Sequence, residues 1–441
     1  MAIIKIEEKY EYLKDVLLSI LLIGIAFVIN AGMSIRGLYQ DDLFMWSTRR
    51  GVGFFKYVFP DQTRKFRPVY WIVAWIYQGI LKNNIYLIVP INIIIAAIIA
   101  IGVYFFAKEM AKSRGLAFIP ASMFLISRFS YYNIGQFLGV MEAMALVFAL
   151  LMLYFLYLYI KNGKGVYFYY ACGFYFLNCF THERFMVLLP MLIFAAIVGK
   201  RRKILNALIS ISLFVLITLI RLLALKSFMP EGTGGSKVSE TFNIADFFHS
   251  MRIEILYLNT GPEHLNGINF HNVNTALKIV IIIGILAAFA FTIKFIYSIA
   301  VYSKKIELSW IKNILLFAGF IIGSMVSSAV TIRVEMRWVY APYLFMLLLI
   351  SYIYGVDKSI IVKRFNSKKV KASMGKIFHV SFTAVVLLFV WAFCMITADI
   401  YYRGYYDNIY IFIGQNRANS LADETYYKYG KDLRDKRIFI I

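Results

Sequence analysis

The sequence predicts an all-α, polytopic membrane protein, and three observations carry that reading. Of its 441 residues, 61% are hydrophobic and only 16% charged, at a mean hydropathy of +0.70; soluble domains of this length are not so apolar. The apolar residues fall into long runs, most close to the ~20 residues a helix needs to cross a bilayer. Aromatic residues reach 17%, with 32 Tyr and 39 Phe, as expected where rings sit at the lipid boundary. The net charge of +23 reads as Lys/Arg loops facing anionic lipid, and no nucleic-acid-binding module accompanies it. Cys172, Cys179 and Cys394 all lie in apolar segments and form neither a disulfide framework nor a metal spacing.

In chain order, residues 1–14 are polar and amphipathic, with Lys5, Lys9 and Lys14, and the first span is expected at 16–35. No small-residue cleavage site follows, so this helix is expected to be retained rather than removed as a signal peptide. Next comes Gly37-Leu38-Tyr39-Gln40-Asp41-Asp42, with two adjacent carboxylates where a membrane helix meets water. Ionisable groups at such a boundary are costly to hold and tend to mark function. Residues 36–65 interleave Leu43, Trp46, Phe54, Phe55 and Val58 with Arg49, Arg50 and Lys56, the pattern of a helix lying on the membrane surface. The apolar stretch 66–81 is too short to span comfortably. Further apolar runs follow at 85–107, 116–127, 139–160, 166–180, 185–199, 204–225, 276–301, 313–331, 338–356 and 377–399.

Whether 66–81 crosses decides the side of every later loop. The basic loops hold Lys108, Lys112 and Arg114; Lys161 and Lys164; Lys200 to Lys203; Lys304 and Lys305; and Lys358 to Lys376. They alternate with loops poor in Lys and Arg. If 66–81 does not cross, all of them share the cytoplasm with the N-terminus, as the positive-inside rule requires. The expected architecture is therefore a bundle of about eleven spans, with 66–81 as a juxtamembrane or re-entrant helix in the first outer loop (36–84). A long outer loop is expected at 226–275. The outer tail 401–441 is expected as a helix near 408–430 and a strand at 437–441. No internal repeat or low-complexity tract is present.

The outer face then collects the acidic pair, the segment 128–142 with Glu142, Thr181-His182-Glu183-Arg184, and Arg333, Glu335 and Arg337. This order resembles the GT-C superfamily of membrane glycosyltransferases, which use polyprenyl-phosphate-linked sugars. The resemblance rests on Asp41-Asp42 after the first helix, on Lys65-Phe66-Arg67-Pro68-Val69-Tyr70-Trp71 opening a short outer helix, and on Glu142 at the start of a later span. Thr181-His182-Glu183-Arg184 with Pro190, and Arg337-Trp338-Val339-Tyr340-Ala341-Pro342, are similar to two further family motifs. The match covers about residues 1–360. It departs from the family in having Asp-Asp where many members have Asp-Glu, His182 where Lys is usual, and little chain beyond residue 400.

The resemblance implies a catalytic domain over residues 1–400 in the cytoplasmic membrane, with its active site outside, and richness in Ile, Lys, Asn and Tyr points to a bacterial source. It implies transfer of a sugar from a polyprenyl-phosphate donor to a lipid-linked or cell-surface glycan. Such a transfer needs a base for the acceptor hydroxyl and cations for the departing phosphate. Asp41 is expected as the base, with inversion at the anomeric centre; Asp42 is either its support or the base itself. The plainer alternative is a helix cap or an ion pair with Arg36. Lys65 and Arg67, with Arg64, are expected to grip the phosphate, against simple snorkelling among lipid head groups.

Tyr70 belongs to the same motif. His182, Glu183 and Arg184 would hold donor phosphate or sugar, or form a structural ion pair. Glu142 would position the acceptor or help a cation, and Arg333 and Arg337 form a second phosphate-contacting island that Glu335 neutralises in the plainer reading. Some relatives use a divalent ion, for which Asp41, Glu142 and His182 are the candidate ligands. No HExxH or paired-Cys spacing supports one, so no cofactor is expected with certainty. His249, His264 and His271 read as surface histidines, and Glu231 to Lys237 as a flexible loop without Walker spacing. Two other functions compete: an oligosaccharide polymerase or ligase, which would lean on outer arginines, and a lipid-linked sugar transporter or flippase, which should show repeat symmetry.

Overall fold

The structure is a computed structural model that describes residues 2–49, 51–60, 65–82, 84–227, 242–259, 273–302, 307–331, 334–366, 374–405, 407 and 410–433. Arg64, Arg333, Glu231 to Lys237, His264, His271 and the strand expected at 437–441 lie outside the described residues. Among the described residues every regular element is helical.

The chain opens with α1 (Ala2–Ile29), a single helix that takes in both the polar start and the first apolar run. It stops six residues before the expected 35, because Asn30 turns back to donate to the Ala26 carbonyl (2.7 Å) and Gly32 adopts φ +91°. The expected single surface helix is instead two short ones, α2 (Asp41–Ser47) and α3 (Phe54–Val58), followed by α4 (Pro68–Leu81). Pro68 sits in the first turn of α4, where a missing N–H costs nothing. Then come α5 (Ile88–Ala111), α6 (Arg114–Ile126), α7 (Ser130–Ile134), α8 (Gly139–Asn162) and α9 (Gly165–Thr181). A 3₁₀ turn (Glu183–Leu188) leads into α10 (Leu189–Val198). The remainder is α11 (Lys203–Leu225), α12 (Ile244–Asn259), α13 (Thr275–Tyr302), α14 (Leu308–Ala329), α15 (Met336–Asn366), α16 (Met374–Arg403) and α17 (Tyr410–Tyr429).

Eight of these are long and apolar enough to cross a membrane: α1, α5, α8, α11, α13, α14, α15 and α16. Their faces are inverted relative to a soluble bundle. In α11 the residues turned inward include Asn206, Ser210 and Arg221, while Ile204, Leu208, Leu219 and Leu223 are exposed. Burial of polar groups against the neighbours and exposure of large aliphatics suits a lipid solvent. Inside, aromatic rings fill the gaps: Phe124 stacks on Tyr340 at 4.4 Å, and Tyr104, Tyr175 and Tyr343 are fully buried.

The bundle has two polar ends. At one, Asp15 of α1 meets Lys108 (2.5 Å) and Arg114 (2.8 Å), Lys161 meets Glu109, Tyr159 donates to Arg201 O (3.0 Å) and Lys312 to Val198 O (2.8 Å). At the other lie Asp42, Arg67, Glu142, His182 to Arg184 and Arg337. Three short helices join these ends. α6 leaves the Arg114 end and finishes beside Arg128, which pairs with Asp399 at 2.7 Å. α9 leads to His182, and the 3₁₀ turn with α10 returns to Gly199, against Tyr159. α4 behaves differently. Beside its C-terminal end, Gln78 donates to Met45 O of α2 (3.1 Å) and Tyr77 to Ile88 O at the start of α5 (3.0 Å). It therefore starts and stops at the same end of the bundle. At 14 residues it is about 21 Å long, short of a ~30 Å hydrocarbon core.

Candidate functional site

The site is assembled from helix termini at one end of the bundle, where side chains leave the apolar core. Asp41 and Asp42 open α2 directly after Gln40, whose φ of +46° is a left-handed conformation uncommon for a residue with a side chain. Adjacent residues in a helical turn point in different directions, and here the two carboxylates part. Asp41 is exposed, whereas Asp42 is 1% exposed. The Asp42 carboxylate caps no turn of its own helix. Its Oδ2 accepts the Phe137 amide (2.8 Å) and its Oδ1 the Leu138 amide (2.9 Å), in the corner between α7 and α8.

That corner is fastened from below. Asn92 of α5 donates to Ile134 O (3.1 Å) and Gln136 O (2.8 Å), and the Phe137 ring stacks on Tyr77 and abuts Trp46 edge-on. Burial pushes the Asp42 carboxyl up to about 7, against the two amide bonds that favour its ionised form; the Asp41 charge raises it further and Arg337 opposes. Arg36, the alternative partner for the acidic pair, bonds instead to Asp423 at 3.0 Å.

Glu142 stands in the first turn of α8. Its Oε2 lies 2.5 Å from Arg184 Nη2 and its Oε1 3.5 Å from His182 Nε2. His182 Nδ1 accepts the Arg184 backbone N–H (3.4 Å), which leaves the neutral ring's proton on Nε2, facing Glu142. Burial drives the imidazole well below its ordinary value, and the nearby Arg67 adds to this, so His182 is neutral. Glu183 turns the other way. Arg67 Nε and Nη2 grip its two oxygens at 2.7 and 2.5 Å, and Arg67 Nη1 points to Met141 Sδ (2.9 Å). Burial works against the Glu183 charge, but the Arg67 guanidinium prevails and holds the carboxyl well below the usual range. Arg67 is thus an interior fork held by Glu183.

Arg337 opens α15. It donates to the Tyr132 hydroxyl, lies 4.3 Å over the Tyr132 ring and pairs with Glu335 at 2.7 Å. Lys65 sits in the field of Arg67, Glu183, Arg337 and Asp41, and burial lowers its ammonium below the ordinary value. Tyr70 is fully buried in the first turn of α4, in the same field. Asp41, Asp42, Lys65, Arg67, Tyr70, Glu142, His182, Glu183, Arg184 and Arg337 are therefore brought to one end and mutually coupled. Arg333 lies outside the described residues. No group of three or more His, Cys, Asp or Glu among the described residues could hold a metal ion, and Glu142 and His182 are turned to each other and to Arg184.

Two residues of this cluster are not singled out by the sequence reading. Arg221 donates to Phe66 O (3.1 Å) and Cys179 O (3.3 Å) and lies 3.9 Å from Glu183. Its signal was a lone Arg inside the apolar run 204–225. Glu254 of α12 is fully buried, takes the Ser328 hydroxyl and feels the Arg184 charge; burial holds its carboxyl well above the usual range. It shows in the sequence as one acid between Ile253 and Ile255. Compared with known protein families and with curated proteins, the chain matches no family model and no curated relative.

Proposed function

We propose that this protein is a membrane glycosyltransferase of GT-C type. It transfers a sugar from a polyprenyl-phosphate donor to a glycan or lipid-linked acceptor at the extracytoplasmic face. In this reading α6, α9 and α10 cross with the eight long helices, giving eleven spans, and α4 stays in the outer leaflet. The N-terminus and the basic end face the cytoplasm.

One observation carries the proposal: the acidic pair divides its labour. Asp42 is occupied by two amides, while Asp41 is exposed beside a cluster rich in cations. Burial holds the Asp42 and Glu254 carboxyls toward their neutral forms, which leaves Asp41, Glu142, Glu183 and Glu335 facing Lys65, Arg67, Arg184, Arg221 and Arg337. A phosphate group would complete the balance. Arg184 Nη1 is buried with no hydrogen-bond partner among the described residues, and so is a donor left over for an anion.

The chemistry follows. The acceptor oxygen attacks the anomeric carbon from the face opposite the phosphate, and Asp41 takes the hydroxyl proton. The bond between the anomeric carbon and the phosphate oxygen breaks, and the phosphate leaves with the electron pair. The cations steady the charge it gains. Arg67–Glu183 and Glu142–Arg184 hold those cations in place. The test is sugar transfer by purified protein from polyprenyl-phosphate sugars to a hydroxyl acceptor. Asp41→Asn should abolish turnover without changing the thermal midpoint. Full turnover by this variant overturns the proposal.

A further inference from the structure

The strap between α1 and α2, residues 30–40, delivers Asp41 to the site and contains no regular element. Its order comes from the far end of the chain. Asn419 of α17 accepts the backbone N–H groups of Arg36 (2.8 Å) and Gly37 (3.2 Å) on Oδ1 and donates from Nδ2 to Ser34 O (3.0 Å). Gln415, one turn earlier, donates to Gly37 O at 2.5 Å and to Asn419 Oδ1 at 3.0 Å. Two side chains thus satisfy four backbone groups of the strap, across 378 to 385 positions of sequence. Both are at most 5% exposed.

The contact is close. A Cβ at Gly37 would lie 2.4 Å from Ala418 O, so only glycine lets the strap reach the helix. The Tyr39 ring lies against Gly414, Phe412 packs edge-on against Tyr131 of α7, and Arg36 pairs with Asp423. Immediately beyond the fastened stretch is Gln40 at φ +46°, then Asp41. A sparsely populated backbone conformation persists where its surroundings over-determine it. α17 supplies such surroundings on one side of Gln40, and the Asp42 amide bonds supply them on the other.

We infer that α17 is the positioning element for Asp41, with Asn419 and Gln415 as its positioning residues. They recognise the strap's backbone and hold the base in register with the acceptor. The inference rests on the glycosyl-transfer reading for its catalytic consequence, but not for its structural one.

The test uses the full chain in detergent and reads two quantities: amide hydrogen exchange along 34–40 and steady-state transfer kinetics. Asn419→Ala should speed exchange at Arg36 and Gly37 by about tenfold or more while α5, α8 and α15 keep their protection. It should lower kcat by about tenfold to a hundredfold and leave the donor KM unchanged. Asn419→Asp still accepts both amides but cannot donate to Ser34 O, and should keep exchange at Arg36 and Gly37 slower, and kcat higher, than Asn419→Ala does. Unchanged exchange in Asn419→Ala overturns the inference; so does a rise spread over the whole bundle, which would mark a merely structural role. If the wild type transfers sugar from no polyprenyl-phosphate donor, the functional reading fails, and exchange at Arg36 and Gly37 alone decides whether α17 holds the strap.

Discussion

Arg67 and Glu183, 116 residues apart, close a two-bond fork in which Nε and Nη2 reach Oε2 and Oε1 at 2.7 and 2.5 Å. The fork ties the start of α4 to the corner after α9, and both partners are buried. Removing one partner of a buried pair leaves the other charge without compensation, at about 3–5 kcal/mol. Glu183→Ala is therefore expected to lower the thermal midpoint in detergent sharply. Arg67→Lys keeps the charge but loses the fork, and should fall between wild type and Glu183→Ala. An unchanged midpoint for Glu183→Ala would show that the fork does not hold the corner.

Asp42 makes stability depend on pH. Its carboxyl titrates at about 7 in the folded protein and near 3.9 when unfolded. Between those values the native state binds the extra proton, so stability falls as pH rises through the window and levels off above it. Asp42→Asn cannot titrate, and it leaves one of the Phe137 and Leu138 amides without an acceptor, at about 1–3 kcal/mol. Thermal midpoints from pH 4.5 to 8 should show the wild type declining relative to the variant's flatter curve. Parallel curves would remove Asp42 as the source.

Arg337 offers its guanidinium from the Tyr132 ring, with Glu335 alongside. Its planar fork suits a phosphate in a way an ammonium does not. Under the proposed function Arg337→Lys should raise the donor KM or lower kcat/KM by about tenfold, the worth of roughly 1.4 kcal/mol. The thermal midpoint should hardly move. Kinetics with the donor varied at fixed acceptor check this, and an effect confined to acceptor KM would contradict it.

Arg128 and Asp399 form the most enclosed ion pair among the described residues, with side chains 0% and 2% exposed at 2.7 Å. They join the end of α6 to the end of α16, next to Arg403, which bonds Ser127 O, Ser130 and Asn30. Asp399→Ala should cost about 3–5 kcal/mol and reduce extractable, monodisperse protein. The double variant Arg128→Met with Asp399→Ala should recover part of that loss, since both charges of the pair are removed together.

Much of the bundle was legible because lipid imposes a simple rule on sequence. Apolar runs long enough to span appear as runs, and Lys108, Arg114, Lys161 and Lys358 mark their shared polar end. The 66–81 stretch was readable as the exception because only if it does not cross do all the basic loops share one side. The end of α1 was not readable from hydrophobicity: Ala31, Met33 and Ile35 extend the apolar pattern past Ile29, and the Asn30 back-bond and the turn at Gly32 stop the helix. Arg221 and Glu254 were hidden for a related reason. Within an apolar run a single charge announces cost but not its partner.

Sequence by itself determined which residues must avoid lipid and which helices must run the length of the bundle, since both follow from hydrophobicity and length. It also brought forward the acidic pair and the late arginines as candidates. Which carboxylate is occupied and which is exposed was decided only by tertiary structure. Asp41 and Asp42 are chemically identical neighbours, and the difference between them is the presence of the Phe137 and Leu138 amides beside one alone. The contact between α17 and the strap was decided the same way. Nothing local to residues 410–429 refers to residues 34–37, and the bond between Asn419 and the strap exists only once the helices have packed.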